Sequence, residues 1–394
     1  MKKTSINENL KTVDKKRLFV KYIKASFFRN YKNLELNLSA DDIVLHGFNG
    51  IGKTNILEAV SYLTSGRGIK KAKSKEITLK NFSIKKNEGF FWGISANVIS
   101  MDKIIKIGTG INDKSNSRVV KINDQFVKQS DLSKLVKISW VTPQMLLMFH
   151  NGMNEKRRFI DRLVNIIKPI HVNLLYRYEL LIKERVKVIN NFHHNKIWLK
   201  TIESEIVKLS IEIIKNRKNF ILDMNNNFFS NDESKEFFPD IILEIKGEAE
   251  DLLIDLGEDK FYDKLMQILE TNRNIGITSF IGPHKSEVLI FKINDRQEIK
   301  FCSTGEQKIM LISLVLKHSQ LMETLFEQPP ILLLDDIIEH LDCPHKMALF
   351  DKTSKYKSQC WFTCTNPDSF KKYPGSYNSI DVNKLQKDCL RKVS

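Results

Sequence analysis

The stretch "DDIVLHGFNGIGKTNILEAVSYL" (residues 41–63) decides the fold. It reads as a strand, a glycine loop and a helix in direct succession. The middle piece, "GFNGIGKT" (Gly47–Thr54), fits G-x-x-x-x-G-K-[ST] in the context that pattern requires. Glycines let the backbone of Gly47, Phe48, Asn49, Gly50, Ile51 and Gly52 approach phosphate oxygens, and the helix N-terminus adds partial positive charge. Lys53 would reach the β- and γ-phosphates of ATP, and the Thr54 hydroxyl would ligate Mg²⁺. The bland alternative is a strand–turn–helix corner with a chance lysine.

A second stretch, "PPILLLDDIIEHLD" (329–342), runs four apolar residues, Ile331–Leu334, into two adjacent acids. The run reads as a strand buried on both faces. Two carboxylates at its tip repel each other and lose hydration unless a cation joins them. With the glycine loop present, that cation is Mg²⁺ on bound ATP. A strand neighbouring the loop would bring Asp335 beside Thr54 to hold the metal, and Asp336 would face the γ-phosphate and polarise the attacking water. Asp342 follows on a short turn suited to contact with a second subunit, or else caps a helix before Pro344.

The third stretch is "CSTGEQKIMLISLVL" (302–316). Ser303 and Glu306 form an S-x-x-E capping box ahead of a helix. The same helix start, with Ser303 and Gly305, could also clamp a phosphate.

Composition sets the frame. The chain has 394 residues, 42% hydrophobic and 28% charged, enough for two or three packed units with a substantial core. Its apolar runs fall short of the ~18 residues of a membrane span. Residues 1–16 lack an apolar segment, so the expectation is a cytoplasmic protein with a polar extension rather than a secretory signal. Five cysteines show no metal spacing, and their odd number argues against a disulfide framework. The net charge of +16 favours polyanionic partners, nucleic acid or an acidic membrane surface. Basic candidates for DNA contact are Lys70, Lys71 and Lys73 after "SGRG", with Arg157 and Arg158. Few aromatics interleave with them, so backbone binding with steep salt dependence is expected over base stacking.

Along the chain, "LFVKYIKASFFRNYKNLELNL" suggests two strands around a turn at Arg29–Lys32. From Phe90 to Val141 the runs "FWGISANVI", "KIIKIGTGI", "RVVKI" and "VKISWV" suggest an antiparallel β-rich subdomain. Near Asn154 the pattern changes to long amphipathic helices interrupted at Pro169 and joined near His193–Lys196, with a further helix over Leu252–Asn272. A β pattern returns at "GITSFIGPHKSEVLIFKI", followed by a helix from Gly305.

Together these motifs resemble the ABC-type ATPase heads of the SMC-like group, and the RecF family most of all. The resemblance is carried by "FFRNY", "GFNGIGKTNILEAVSYLTSGRG", "WVTPQMLLMFHNGMNEKRRFIDRLV" (140–164), "GPHKSEVLIF", "STGEQK" and "LLLDDIIEHLD", over roughly residues 18–370. It implies an α/β, ABC-type P-loop ATPase head with an antiparallel β subdomain and a helical second lobe. The implied partition is a flexible N-terminal extension (1–17), the first part of lobe I with the P-loop and β subdomain (18–153), helical lobe II (154–275), and the rest of lobe I with signature, Walker B and D-loop (276–394).

The resemblance also implies ATP and Mg²⁺ as cofactors, with Gln144 in a Q-loop-like segment, and Ser303, Gly305 and Asp342 acting across an ATP-dependent homodimer. Its implied partners are single- and double-stranded DNA at gaps and junctions, RecR and RecO, and RecA indirectly, within DNA repair, replication and the SOS response. No membrane is implied. Three positions depart from the family pattern: Gln144 replaces an acid, Lys285 an arginine and His340 a glutamate. Asp336 is shorter than the glutamate of transporter ATPases and no switch histidine follows "CWFTCT", so weak, slow hydrolysis is expected. The rival readings are a transporter ATPase subunit, an SMC-like DNA-bridging scaffold and an ATPase–nuclease fusion, the last disfavoured by the few residues after 370. Arg29 and His46 are adenine candidates by position alone.

Overall fold

Apolar continuity and apolar alternation sort the strands into different sheets. The computed structural model describes residues 17–79, 90–112, 117–150, 152–190, 196–226 and 237–391. The expected extension, 1–17, lies outside them apart from Arg17. The strands are β1 (Phe19–Phe28), β2 (Tyr31–Asn37), β3 (Asp42–His46), β4 (Phe90–Ser100), β5 (Lys103–Asn112), β6 (Arg118–Ile122), β7 (Gln125–Val127), β8 (Ile138–Val141), β9 (Ile241–Lys246), β10 (Glu287–Lys292), β11 (Ile331–Leu334), β12 (Cys360–Cys364) and β13 (Tyr377–Asp381). The helices are α1 (Lys53–Ser61), α2 (Ser74–Ile77), α3 (Gln129–Leu135), α4 (Met153–Ile167), α5 (His171–Asn190), α6 (Lys196–Asn226), α7 (Glu248–Asn274), α8 (Thr304–Phe326), α9 (Cys343–Ser354) and α10 (Val382–Arg391).

The chain forms two compact units. The first comprises 1–129, 135–140 and 323–394 and contains the larger sheets. One is antiparallel, in the order β2-β1-β4-β5-β6-β7. In β1 Ile23 and Ala25 are buried while Lys24 and Ser26 are not, the alternation of a sheet with one packed face. β1 and β2 join through a tight turn at Arg29–Asn30, with Phe28 opposite Tyr31.

The other sheet runs β13-β3-β12-β11-β8, and β13–β3, β3–β12 and β12–β11 all pair parallel. Ile331–Leu334 and Cys360–Cys364 are buried throughout, as a sheet covered on both faces requires. One expectation changes here. The run "ISWV" is buried at every position and joins this sheet as β8, not the antiparallel one. Between β3 and β11 lies β12, parallel to both.

The second unit comprises 130–134 and 141–322. Segment 276–322, expected from sequence to return to the first lobe, is packed with the helices. β10 pairs antiparallel with β9, and Lys317 of α8 is buried with its Nζ donating to Ile241 O at 2.8 Å. Strand β9 itself was not legible as a strand. Ile206, Val207, Ile213 and Ile214 of α6 pack with Phe261, Leu265 and Leu269 of α7, which kinks at Gly257 (φ 73°). Arg217 holds Asp161 through two bonds of 2.7 and 2.8 Å and donates to Pro283 O at 2.6 Å. This buried pair keeps the Asp161 carboxyl down at about 2, burial being outweighed by Arg217 and His171.

Helix α8 is long and apolar enough by composition to cross a membrane, yet its most apolar window is 67% buried inside the protein. It is a core helix.

Candidate functional site

Helix α1 starts directly from the glycine loop with no side-chain cap, and its first turn closes on Gly52 O, which accepts from Asn55 N at 3.0 Å and Ile56 N at 3.2 Å. Gly47, Gly50 and Gly52 have φ of 146°, 79° and 113°, a region costly for other residues. At Gly52 a Cβ would lie 2.5 Å from Asn30 Nδ2 and 2.7 Å from Tyr31 Oη, so backbone conformation and space both demand glycine. Lys53 is buried, and its Nζ donates to Gly47 O at 2.8 Å and Phe48 O at 3.3 Å. The ammonium thus folds over the loop onto two of its backbone carbonyls.

The sequence places Asp335 and Asp336 at the tip of β11, and the fold brings them to the start of α1 across β12. Thr54 Oγ1 donates to Asp335 Oδ1 at 2.9 Å. Thr363, at the fourth position of β12, occupies the gap: its Oγ1 lies 3.0 Å from Oδ1 of each acid and accepts the Asp336 N–H at 2.7 Å. Burial raises the Asp335 carboxyl above its ordinary range, with the Asp336 charge adding to the rise and Thr54, Thr363 and Lys70 opposing it. Asp336 adopts φ 48°, a strained conformation of the kind that clusters at functional sites. Thr54 and Asp335 are hard oxygen donors on converging elements and fit a Mg²⁺ that takes its remaining ligands from phosphate and water. Among the described residues no trio of His, Cys, Asp or Glu gathers into a protein-only metal cage.

The other candidates are distributed as follows. Ser303 and Gly305 begin α8 in the second unit, and the capping box forms: Ser303 N donates to Glu306 Oε2 at 2.9 Å and Glu306 N to Ser303 Oγ at 3.3 Å. Lys292 Nζ donates to Glu306 Oε1 at 2.7 Å, and this bond first, with those from Ser303, holds the Glu306 carboxyl down at about 2. Gln144 is exposed on the 3₁₀ turn Pro143–Phe149. Asp342 caps α9, accepting His345 N at 3.0 Å and facing His345 Nδ1 at 2.6 Å, while its side chain stays 62% exposed. The cap and an outward-facing carboxylate therefore coexist.

Lys70, Lys71 and Lys73 are exposed, and Lys70 Nζ donates to Asn55 Oδ1 at 2.7 Å beside the loop. Arg158 is exposed with Glu155 3.2 Å away. Arg157 is a correction: it is buried, and its guanidinium donates to Ser286 O and Asn154 Oδ1, so it faces the protein rather than DNA. Lys285 donates to Ser279 Oγ at 2.8 Å. Arg29 is likewise committed inward, to the buried carboxylate of Glu58 at 2.7 and 2.5 Å.

Four side chains that the sequence reading did not single out brace the loop. Asn30 and Tyr31 reach it from the β1–β2 turn, and Asn383 and Gln386 from α10. "FFRNY" was the visible trace of the first pair. The second pair lies about as far along the chain as it can and carried no local signal.

Residues 19–388 match the family described as RecF/RecN/SMC N terminal domain. The DNA replication and repair protein RecF of Rickettsia akari is 34% identical over 371 residues, covering 93% of this chain and all of that protein. The Rickettsia typhi protein of the same name is 34% identical over 370 residues with the same coverage. Among solved structures, one described as the recombination mediator protein RecF-ATPrS in the RecFOR pathway superposes with a TM-score of 0.77 at 20% identity, over 93% of this chain and 97% of that one. An Smc head domain from Pyrococcus furiosus gives a TM-score of 0.51 at 14% identity, over 96% and 100%. The P-loop head, its antiparallel sheet and its helical unit are thus those of the SMC-like ATPases, and the chain belongs to the RecF family.

Proposed function

We propose that the chain is an ATP-binding, slowly hydrolysing DNA-binding protein of recombinational repair and replication-fork maintenance. The observation that carries this is the 2.9 Å bond from Thr54 to Asp335, which joins the two halves of a nucleotide site 281 residues apart in sequence. Lys53 and the loop amides hold the triphosphate. Thr54 and Asp335 would hold Mg²⁺, which when bound offsets phosphate charge. Asp336 orients and deprotonates the attacking water, and Thr363 fixes both acids in place. With a side chain one methylene shorter than glutamate, Asp336 stands further from that water, so turnover falls well under the ~10 s⁻¹ typical of enzymes.

Ser303, Gly305 and Asp342 act in trans, closing on the nucleotide of a second copy, so that ATP assembles a homodimer. DNA gaps and single/double-strand junctions engage the basic surface, including Lys71 and Lys73. The relatives named as replication and repair proteins, and the structural neighbour placed in the RecFOR pathway, support RecO and RecR as partners and recombinase loading as the outcome. The test is equilibrium ATP binding with Mg²⁺. Wild type should bind, and Lys53→Ala should lose about ten- to a hundredfold in affinity, the worth of one or two charge-assisted hydrogen bonds. Equal binding by both proteins would refute the site.

A further inference from the structure

A phosphate-binding loop works only while its peptide planes are turned correctly. In a trans peptide the C=O and the following N–H point in opposite directions, so a bond to one fixes the other. Two planes of this loop are held from behind by α10. The Phe48 N–H donates to Asn383 Oδ1 at 3.3 Å. This turns the Gly47 carbonyl the opposite way, where Lys53 Nζ meets it at 2.8 Å. The Ile51 carbonyl accepts from Gln386 Nε2 at 2.8 Å and from Asn30 Nδ2 at 2.9 Å. The N–H of Gly52, in the same plane, therefore faces away from both amides.

The fit is close. A Cβ on Gly47 would lie 2.9 Å from Asn383 Nδ2, so that amide occupies the space a side chain would need. Asn383 is itself oriented, its Nδ2 and its N–H donating to Asp381 Oδ1 at 3.1 and 2.9 Å. Gly50 has open space around it, and the plane that follows it is tied within the loop, Ile51 N donating to Phe48 O at 3.3 Å. The bracing falls on the peptides that orient Lys53 and the helix start.

Resting on the nucleotide-binding reading above, we infer that Asn383 and Gln386 are positioning residues for the triphosphate: α10 sets the loop from the side away from the ligand. A helix near the end of the ATPase unit thereby tunes affinity without touching nucleotide.

Gln386 offers a clean test, because Gln386→Glu is isosteric yet sets a carboxylate oxygen against the Ile51 carbonyl, whereas Gln386→Lys keeps a donor. ATP binding is measured calorimetrically on the full chain, alongside the thermal midpoint without nucleotide. Gln386→Glu should weaken binding about tenfold, and Gln386→Lys should stay within about twofold of wild type. A merely structural role would penalise both alike. Should Gln386→Glu fail to fold, Gln386→Ala, which leaves Asn30 as sole donor, should still lose about threefold. Wild-type-like binding by Gln386→Glu, equal losses in Glu and Lys variants, or no loss in Gln386→Ala each overturn the inference. Absence of ATP binding in wild type overturns instead the reading beneath it.

Discussion

Thr363 accepts the backbone N–H of Asp336 at 2.7 Å and keeps its hydroxyl 3.0 Å from the carboxylates of both Asp335 and Asp336. One hydroxyl has one proton, so it serves one acid at a time while holding the strained Asp336 backbone. Thr363→Val keeps the shape and removes both functions. It should destabilise the fold by about 1–3 kcal/mol through the unpaired Asp336 N–H. It should also lower ATP turnover more than ATP affinity, because Lys53 and the loop amides are untouched. Chemical denaturation and steady-state kinetics on the same preparation check both.

Asp336→Asn removes the proposed base while keeping the Thr54–Asp335 pair proposed to hold Mg²⁺. With saturating ATP this variant should accumulate as a stable dimer in sedimentation velocity, whereas wild type exchanges. A variant that remains monomeric counts against the trans assignment of Ser303 and Asp342.

The basic residues separate by burial. Lys71→Glu with Lys73→Glu, both exposed, should weaken DNA binding and reduce its salt dependence, with stability changed by less than ~0.5 kcal/mol. Arg157→Ala should do the reverse. It leaves the Ser286 carbonyl unpaired in the interior and should cost about 1–3 kcal/mol of stability, with DNA affinity falling only as the fold does. Fluorescence anisotropy across a salt series, paired with thermal melts, distinguishes the two.

Glu306 sets a pH window. Its folded-state pKa is depressed from 4.5 to about 2, so the stability it lends the start of α8 is complete above its unfolded pKa and lost as pH falls through about 2. At 44% side-chain exposure the contribution is screened, at most about 1 kcal/mol. Lys292→Met should move the Glu306 carboxyl resonance midpoint up toward 4.5, as followed by NMR titration. An unmoved midpoint would assign the depression to Ser303 alone.

What could be read from sequence was local. The glycine loop, the acid pair after an apolar run and the S-x-x-E cap each depend on a few consecutive residues, and the structure contains all three. Helices α4 to α7 were legible from their period. What escaped depended on distant partners. Strand β9 exists because β10, more than forty residues on, pairs with it from Lys246 opposite Glu287. "ISWV" could have joined either sheet, and only its complete burial selects the parallel one. Arg157 sits among charges in an amphipathic helix and looks solvated, yet its acceptor on Ser286 lies 129 residues away. Asn383 and Gln386 are 335 residues from the loop atoms they hold, in a segment with no motif.

The central claim is a composite, DNA-coupled ATPase, and the most direct measurement is ATP turnover as a function of protein concentration, with and without gapped duplex DNA. A rate per protomer that rises with concentration, and rises further with gapped DNA, is the predicted result. A low rate, flat in concentration and indifferent to DNA, would contradict it and leave only a nucleotide-binding fold.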